Sequence, residues 1–147
     1  IIDEKVNEVK NLKALNANHE ILIKDKVFAK YFYQTTAFFN AKYVLASGFL
    51  MEDYHYSMDY EFIVRIAKMG ALQRVDKPIA YFRVHKNQKS ITGVNRQNEE
   101  LFKVKWKYNK VAALNFGFAY LKFRIWRLLP QLLQKKLKPE LYNRYYN

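Results

Sequence analysis

The segment that most limits the fold is a loop that runs into a helical pattern, "HYSMDYEFIVRIAKMG", at residues 55–70. Its apolar residues Phe62, Ile63, Ile66 and Ala67 recur at the spacing of one helix face. Glu61 and Arg65 are four residues apart, which is a favourable ion-pair spacing on a helix. The pattern predicts a helix that begins at Ser57 or Asp59, ends at Gly70 and buries one face.

The segments around this helix carry mixed signals. Asn40 and Gly48 have the residue types that start and stop a helix, so a second helix is expected between them. From residue 94 the pattern is helical as far as Pro130, with a break expected near 115–117. Residue types favour strands at Glu20 to Ile23, Gln34 to Phe39, Ala71 to Val75 and Ile79 to Val84. The predicted fold class is therefore α/β, or α+β within this stretch.

Charge divides the chain into two parts. Residues 101–147 contain eleven Lys or Arg and one acidic residue, Glu140, which gives +10 of the total +13. The first hundred residues contain fifteen basic and twelve acidic residues. We therefore expect a mixed globular region at 1–93 and a basic, amphipathic helical region at 94–147, and the second region should attract anions.

The absence of several motifs narrows the function. The chain contains no cysteine, which excludes disulfides, thiolate metal sites and cysteine nucleophiles. Phosphate-binding glycine loops, H-E-x-x-H and G-x-S-x-G are also absent. The start of the chain has neither a methionine nor a signal-peptide pattern, so we expect it to be a piece of a longer protein.

Acidic residues cluster where the loop meets the predicted helix: Glu52, Asp53, Asp59 and Glu61, with His55 among them. Paired carboxylates can act as general acid and base, and Asp with His can ligate a metal. An Asp in the first helical turn is explained equally well by its interaction with the free N–H groups and the helix dipole, which is worth about 0.5–2 kcal/mol.

Two other polar sites have a simple structural explanation. His85 follows a predicted strand and lies among Arg83, Lys86 and Lys89, where it could ligate a metal or contact a phosphate, or be a surface residue of a basic loop. Gln34 lies in an aromatic segment and could simply satisfy buried hydrogen bonds. Residue type alone favours the structural explanation for both.

The order of these elements resembles a known enzyme family. "YQTTAFFNAKYVLASGFLMEDYHYSMDYEFIVRIAKMG" followed by "ALQRVDKPIAYFRVHKNQKSIT" is similar to the C-terminal half of the catalytic domain of family 2 inverting glycosyltransferases, which have the GT-A fold. The similarity covers roughly residues 30–92. It rests on an aromatic Gln-Thr segment, a helix that stops at glycine, an Asp that opens a helix, and a segment of the form Y-x-R-x-H.

The resemblance implies roles for individual residues. Asp59 matches the catalytic base that removes the proton from the acceptor hydroxyl as this oxygen attacks the sugar. Met58 departs from the family pattern, because many members have Glu there. His85, Arg83 and Lys89 would contact the donor diphosphate as part of a lid at 86–92, and His85 could also ligate the metal. Four residues are expected at the acceptor site: Gln34, Asp53, His55 and Tyr56.

The resemblance also implies partners and a location. Such enzymes bind a nucleotide sugar with Mg²⁺ or Mn²⁺ through an Asp-x-Asp motif, and this chain contains none. We therefore expect the donor-binding half to lie elsewhere and the chain alone to be inactive and to bind no metal tightly. The acceptor would be a glycan or a lipid-linked glycan. The usual setting is bacterial cell-surface polysaccharide synthesis at the cytoplasmic face of the plasma membrane.

The basic C-terminal region permits three interpretations. Residues 115–147 interleave apolar and cationic side chains, as expected of a helix that lies on an anionic membrane, and they carry too many charges to span one. The same pattern would suit packing against the catalytic region or against a second subunit. The run "FKVKWKYNK" could bind nucleic acid, but no nucleic-acid motif accompanies it, so no nucleic-acid partner is expected.

Overall fold

The computed structural model describes residues 14–27, 30–70, 72–77, 79–81 and 93–138. Within these ranges the ordered elements are α-helices and short 3₁₀ turns, and no strand is present. The prediction of an α/β fold is therefore wrong for this part of the chain. The helices are α1 (His19–Lys24), α2 (Ala41–Ser47), α3 (Met58–Met69), α4 (Val94–Tyr108), α5 (Lys110–Leu128) and α6 (Gln131–Leu137).

Helix α3 is the centre of the fold, and it confirms the helix predicted from the apolar periodicity. Tyr60, Ile63 and Val64 are buried on it, and it ends at Gly70, whose N–H donates to the carbonyl of Ile66. Helices α1 and α2 both pack against α3. A Cβ on Gly70 would lie 2.8 Å from the ring of Tyr43 in α2, so the glycine permits this close approach.

Helix α1 replaces the strand predicted at Glu20 to Ile23. The Asn18 side chain accepts a hydrogen bond of 2.9 Å from the N–H of Ile21, which caps the helix start. Leu22 and Ile23 are buried in the core. The strand prediction was wrong because this cap and the burial of two residues together outweigh the modest strand preference of the isoleucines.

The other predicted strands are also absent where the structure describes them. Gln34–Thr36 forms a 3₁₀ turn in which both the N–H and the hydroxyl of Thr36 donate to the carbonyl of Tyr33. Such local hydrogen bonds compete with strand pairing. Residues 72–77 and 79–81 have no regular structure. The remaining parts of the two strands predicted between 71 and 84 lie outside the described residues.

Helix α2 confirms the second predicted helix. The side chain of Asn40 accepts a hydrogen bond of 2.9 Å from the N–H of Lys42, and Gly48 follows the last turn with a φ of +79°. A left-handed φ is easily adopted only by glycine. The asparagine and glycine signals therefore fixed both ends of this helix correctly.

Helices α4 and α5 form a hairpin with Asn109 as the only residue between them. Its side chain accepts a hydrogen bond of 2.9 Å from the N–H of Ala112 and so caps α5. The break expected near residues 115–117 is absent, because Gly117 lies inside α5. A Cβ on Gly117 would lie 3.1 Å from the ring of Phe102, so the glycine allows the two helices to approach closely.

One core joins the hairpin to the rest of the chain. It contains seven buried residues from α1, α3, α4 and α5: Leu22, Ile23, Tyr60, Ile63, Val64, Val104 and Ala112. The hydroxyl of Tyr60 donates to the carbonyl of Leu22 at 2.9 Å and so ties α1 to α3. The region boundary predicted at residue 93 lies directly before α4, and the core extends across it.

Glu61 is completely buried and forms a polar network at the centre of the molecule. Its Oε2 accepts hydrogen bonds from Arg65 Nε and Nη2 at 3.1 and 2.8 Å, and its Oε1 accepts from Lys107 Nζ and Tyr108 OH at 3.2 and 3.1 Å. Burial alone would raise the pKa of Glu61, but these hydrogen bonds and the Arg65 charge outweigh it and hold the pKa below its usual range. The carboxylate therefore stays ionised inside the protein.

Arg65 extends this network to the end of α2. Its Nη1 donates to the carbonyls of Ser47 and Gly48, and its Nη2 donates to the carbonyl of Phe49 at 2.9 Å. These carbonyls belong to the helix end and the residues after it, which need hydrogen-bond donors. A single guanidinium therefore joins α2 to the buried carboxylate of α3.

Lys105 performs a similar task for α1. Only 1% of its surface is exposed, and its Nζ donates to the carbonyls of Ile23 and Asp25 at 2.6 and 2.8 Å. The amine also lies over the rings of Tyr60 and Phe116. Burial lowers the pKa of Lys105 to about 8, although the charge of Asp25 acts in the opposite direction.

We expect Glu61→Gln to lower the free energy of unfolding by about 3 kcal/mol, because it leaves the guanidinium of Arg65 without its buried counter-charge. Urea denaturation monitored by circular dichroism measures this loss. The matched control is Glu20→Gln, since the Glu20–Lys24 pair has the same spacing but side chains 73% and 62% exposed. The control should leave stability unchanged, and equal effects of both variants would contradict the central role of Glu61.

Lys105 should make stability rise with pH. Its pKa is lower in the folded protein than in the unfolded chain, so the unfolded chain binds more protons between about pH 8 and 10.5 and folding becomes easier as the amine is neutralised. Between pH 8 and 9.5 we expect a gain of about 1.5 kcal/mol. Above pH 10 the trend should reverse, because burial raises the pKa of Tyr60 and Tyr108.

Lys105→Met is the control for this pH dependence. The variant removes the amine but keeps an apolar stem, so the rise between pH 8 and 9.5 should disappear whatever the absolute stability of the variant. Chemical denaturation at several pH values gives both curves. A wild-type curve that is flat in this interval would contradict the lowered pKa of the buried amine.

Candidate functional site

Asp59 lies in the first turn of α3, beside the buried network. The helix begins after Ser57, whose side chain makes no capping bond and instead donates to the carbonyl of Gln97 at 3.3 Å. Asp59 Oδ1 accepts a hydrogen bond of 2.8 Å from the N–H of Tyr60. Asp59 therefore stabilises a free N–H of the first turn, although it is not the residue at the cap position.

Burial raises the pKa of the Asp59 carboxyl above its usual value, and the backbone hydrogen bonds from Tyr60 and from Asp59 itself offset this only in part. The helix dipole acts in the opposite direction at a helix start, because it favours the charged form. The desolvation of the carboxylate is the larger effect here. The result is a carboxylate that accepts a proton more readily than an exposed aspartate does.

The Asp59 side chain lines a cavity of about 320 Å³. Gln34 is the other polar residue of its wall, and the remaining lining residues are apolar: Phe32, Phe39, Val44, Phe49, Leu50 and Phe62. The ring centroids of Phe39 and Phe62 are 5.1 Å apart. The cavity therefore combines one proton-accepting carboxylate, one amide and several aromatic rings.

A larger and more open cavity of about 580 Å³ adjoins the first, because Phe49 and Leu50 line both. Its other lining residues are Glu52, His55 and Met58. His55 is thus placed beside the Asp59 cavity rather than in it. Met58 adds an apolar residue to this wall.

The structure places Asp53 and Tyr56 outside both of these cavities. Asp53 is exposed on the loop. The N–H of Tyr56 donates to Glu100 Oε2 at 2.7 Å, and its ring lies so close to Gly93 that a Cβ there would be 1.9 Å from Cε1. Of the four residues predicted at the acceptor site, Gln34 lines the same cavity as Asp59, and His55 lines the adjoining cavity. Asp53 lines neither cavity, and Tyr56 connects the loop to α4.

The residues predicted to contact the donor, His85, Arg83 and Lys89, lie outside the described residues, as does the predicted lid at 86–92. Among the residues that the structure describes, no group of three His, Asp or Glu side chains could hold a metal ion.

The basic C-terminal helices bear on the predictions of membrane and nucleic-acid binding. None of the helices in the described ranges has the length and apolar character needed to cross a membrane. In the run at 102–110, Lys105 is buried, Tyr108 donates to Glu61, and the rings of Phe102 and Trp106 stack on each other at 5.7 Å. Half of the run therefore serves the core and the hairpin, which does not favour a surface platform for stacking bases.

The aromatic wall of the cavity and the buried roles of Glu61 and Lys105 were missed at the sequence level. Glu61 and Arg65 were paired correctly by their spacing, but spacing does not distinguish an exposed pair from a buried one. The cavity wall contains Phe32, Phe39 and Phe49. Their spacing in the sequence follows neither a helix nor a strand period, so it does not predict that they line one cavity.

Comparison of the chain with protein-family models, with curated proteins and with solved structures gives no match. The resemblance to family 2 glycosyltransferases therefore stays a prediction from the residues that carry it.

Asp59→Asn should raise the free energy of unfolding at pH 7. Because the pKa of Asp59 is raised on folding, its stabilising contribution is present in acid and is lost as the pH rises through the folded pKa, so at neutral pH the buried charge has a cost. The amide keeps an acceptor for the N–H of Tyr60 and removes that cost. The gain should shrink as the pH falls towards 4, and denaturation at both pH values measures it.

Asp25→Asn is the matched control, because folding lowers the pKa of Asp25 and raises that of Asp59. Burial would raise the pKa of Asp25, but the Tyr31 hydroxyl, the N–H of Val27 and the charge of Lys30 outweigh it and lower the pKa. This variant should destabilise the protein at neutral pH. A loss of stability in Asp59→Asn at pH 7 would contradict the effect of burial on Asp59.

Proposed function

We propose that this chain forms the acceptor side of an inverting glycosyltransferase, with Asp59 as the general base. The observation that carries the proposal is the half-buried Asp59 carboxyl, with its raised pKa, in the wall of a cavity at the start of α3. The sequence motifs support the same assignment, because Asp59 stands where the family pattern has its base. The proposal does not depend on the α/β fold, which the described helices contradict.

The chemistry of a general base suits this environment. A base works best when its pKa approaches the working pH, and burial moves the pKa of Asp59 in that direction. In the proposed reaction, Asp59 takes the proton of an acceptor hydroxyl while that oxygen forms a bond to the anomeric carbon of the donor sugar. The bond from that carbon to the nucleoside diphosphate breaks on the opposite face, so the configuration inverts.

The rest of the cavity fits an acceptor that has both hydroxyl groups and an apolar ring face. The amide of Gln34 can donate and accept hydrogen bonds, and the rings of Phe39 and Phe62 offer flat apolar surfaces. Binding sites of this kind combine a mostly apolar wall with a few placed polar groups. A glycan or a lipid-linked glycan has the required chemistry.

Donor binding is assigned to residues outside the described helices. The 147 residues contain no Asp-x-Asp, so the proposal leaves the nucleotide and its divalent metal, Mg²⁺ or Mn²⁺, to another segment of a longer protein, together with the loop that contains His85. Nucleotide-sugar chemistry of this kind is expected at the cytoplasmic face of the plasma membrane.

The test is sugar transfer by a protein that carries these residues together with a nucleotide-binding segment. Release of nucleoside diphosphate from a panel of nucleotide sugars gives kcat, and NMR of the product gives the anomeric configuration. Asp59→Asn should lower kcat by about 10²–10⁴-fold, because a positioned general base contributes that much. Since the same substitution is expected to stabilise the fold, the loss would not be caused by unfolding.

Glu20→Gln on the exposed face of α1 should keep full activity. Transfer that proceeds equally well with Asp59→Asn, or a product of retained configuration, would overturn the assignment of Asp59. Absence of transfer from every nucleotide sugar tested would overturn the proposed reaction class.

A further inference from the structure

Helix α5 has an exposed row of apolar side chains along its whole length. The residues are spaced alternately by three and four positions, and each is between 46% and 85% exposed: Val111, Leu114, Phe118, Leu121, Ile125 and Leu128. We call this set the apolar stripe. Alternate three- and four-residue spacing places side chains on one face of a helix, so the stripe is continuous.

The stripe is not the face by which α5 joins the fold. The buried residues of α5 lie on the opposite side of the helix: Ala112, Ala113, Phe116 and Trp126. The hydroxyl of Tyr120 donates to Asn95 at 2.8 Å and so aligns the middle of α5 with the start of α4. The core face of α5 is therefore fully used while the apolar stripe remains exposed to solvent.

Cationic side chains border the stripe on both edges. On an ideal helix Lys122 lies about 70° to one side of its centre and Arg124 about 90° to the other, and both residues are exposed. Residues 110–137 contain six Lys or Arg and no Asp or Glu. Long cationic side chains beside an apolar face can extend to a plane of negative charge while the apolar groups are buried.

This charge pattern disfavours a second copy of the chain as the occupant. If the stripe were a coiled-coil seam, the flanking positions would include Lys110, Lys122 and Arg124, with no acidic residue to pair with them. The flanking positions of two copies would therefore form no salt bridge across the seam.

The break after α5 disfavours a long helical partner as well. Leu129 and Pro130 have extended backbone, with ψ of 151° and 145°, and end the helix. The stripe then covers about two and a half heptads, fewer than the three or four that a coiled coil usually needs. Beyond the break, α6 continues with three exposed leucines: Leu132, Leu133 and Leu137.

Helix α6 is held firmly to the end of α5. Gln134 Nε2 donates to the carbonyls of Arg127 and Leu129 at 3.2 and 2.6 Å, and Trp126 Nε1 donates to the carbonyl of Gln134 at 3.3 Å. Lys135 and Lys136 add two exposed cations here. A helix broken in this way cannot continue a coiled-coil seam.

We propose that the apolar stripe of α5, with the exposed leucines of α6, docks the protein on an anionic lipid bilayer, the apolar side chains entering the interface and Lys122 and Arg124 contacting the headgroups. Binding then depends on two terms, the burial of apolar surface and the attraction of the cations to anionic lipid. This surface is separate from Asp59 and its cavity. The proposal therefore stands or falls independently of the proposed enzymatic activity.

Co-sedimentation of the 147-residue chain with vesicles tests the proposal. The chain should bind vesicles of equal parts phosphatidylglycerol and phosphatidylcholine in about 0.1 M salt, bind pure phosphatidylcholine far more weakly, and lose affinity in about 1 M salt. Phe118→Ser/Ile125→Ser should weaken binding to the anionic vesicles by about tenfold or more. Both residues are more than half exposed, 62% and 53%, so the fold should survive, and circular dichroism checks this.

Two control variants separate the stripe from general properties of the chain. Leu45→Ser/Val75→Ser removes two other exposed apolar side chains, 73% and 58% exposed, and should bind like the wild type. Lys122→Glu/Arg124→Glu should bind more weakly than Lys42→Glu/Lys68→Glu, although both change the net charge equally.

Absence of binding to anionic vesicles would overturn the proposal, and so would equal binding by the stripe variant and its control. Sedimentation velocity supplies an independent outcome. A dimer that forms in the absence of lipid and dissociates in Phe118→Ser/Ile125→Ser would assign the stripe to self-association instead.

Discussion

The fold depends on one buried carboxylate. Glu61 has no exposed surface, and without its cationic partners its buried charge would strongly destabilise the folded protein. Its two oxygens collect donors from α3 and α4, and through Arg65 the network reaches the carbonyls that follow α2. Three segments that are distant in sequence are therefore held in one arrangement by an interaction that is strong only while all its members are present.

This arrangement explains why two acidic residues of one helical turn behave so differently. Glu61 is surrounded by cations and a hydroxyl, which lower its pKa. Among the described residues, the groups that oppose the burial of Asp59 are backbone N–H donors, and its pKa is raised. The network also fixes Phe49, whose carbonyl accepts from Arg65 and whose side chain forms part of the cavity wall. The structural carboxylate of Glu61 thus helps to hold in place part of the cavity that Asp59 lines.

The sequence was sufficient for the elements whose ends carry clear signals. Helices α2 and α3 were predicted because Asn40, Gly48 and Gly70 mark their limits and α3 has a regular apolar face. Asn18 and Asn109 cap α1 and α5 and carry the same kind of signal. At α1 the signal competes with the strand preference of the isoleucines, and at α5 it lies within a continuous helical pattern. Burial of Lys105, the shared aromatic wall and the stacking of the helices depend on contacts between distant residues, which no local pattern encodes.

The contact between Lys105 and α1 has a consequence for how the chain is made. Helix α1 has six residues, too few to be stable in isolation. The amine that holds its last carbonyls comes from a residue 82 positions after Ile23. During synthesis α1 leaves the ribosome long before Lys105 is added, so the first helix that the structure describes is expected to be among the last to form.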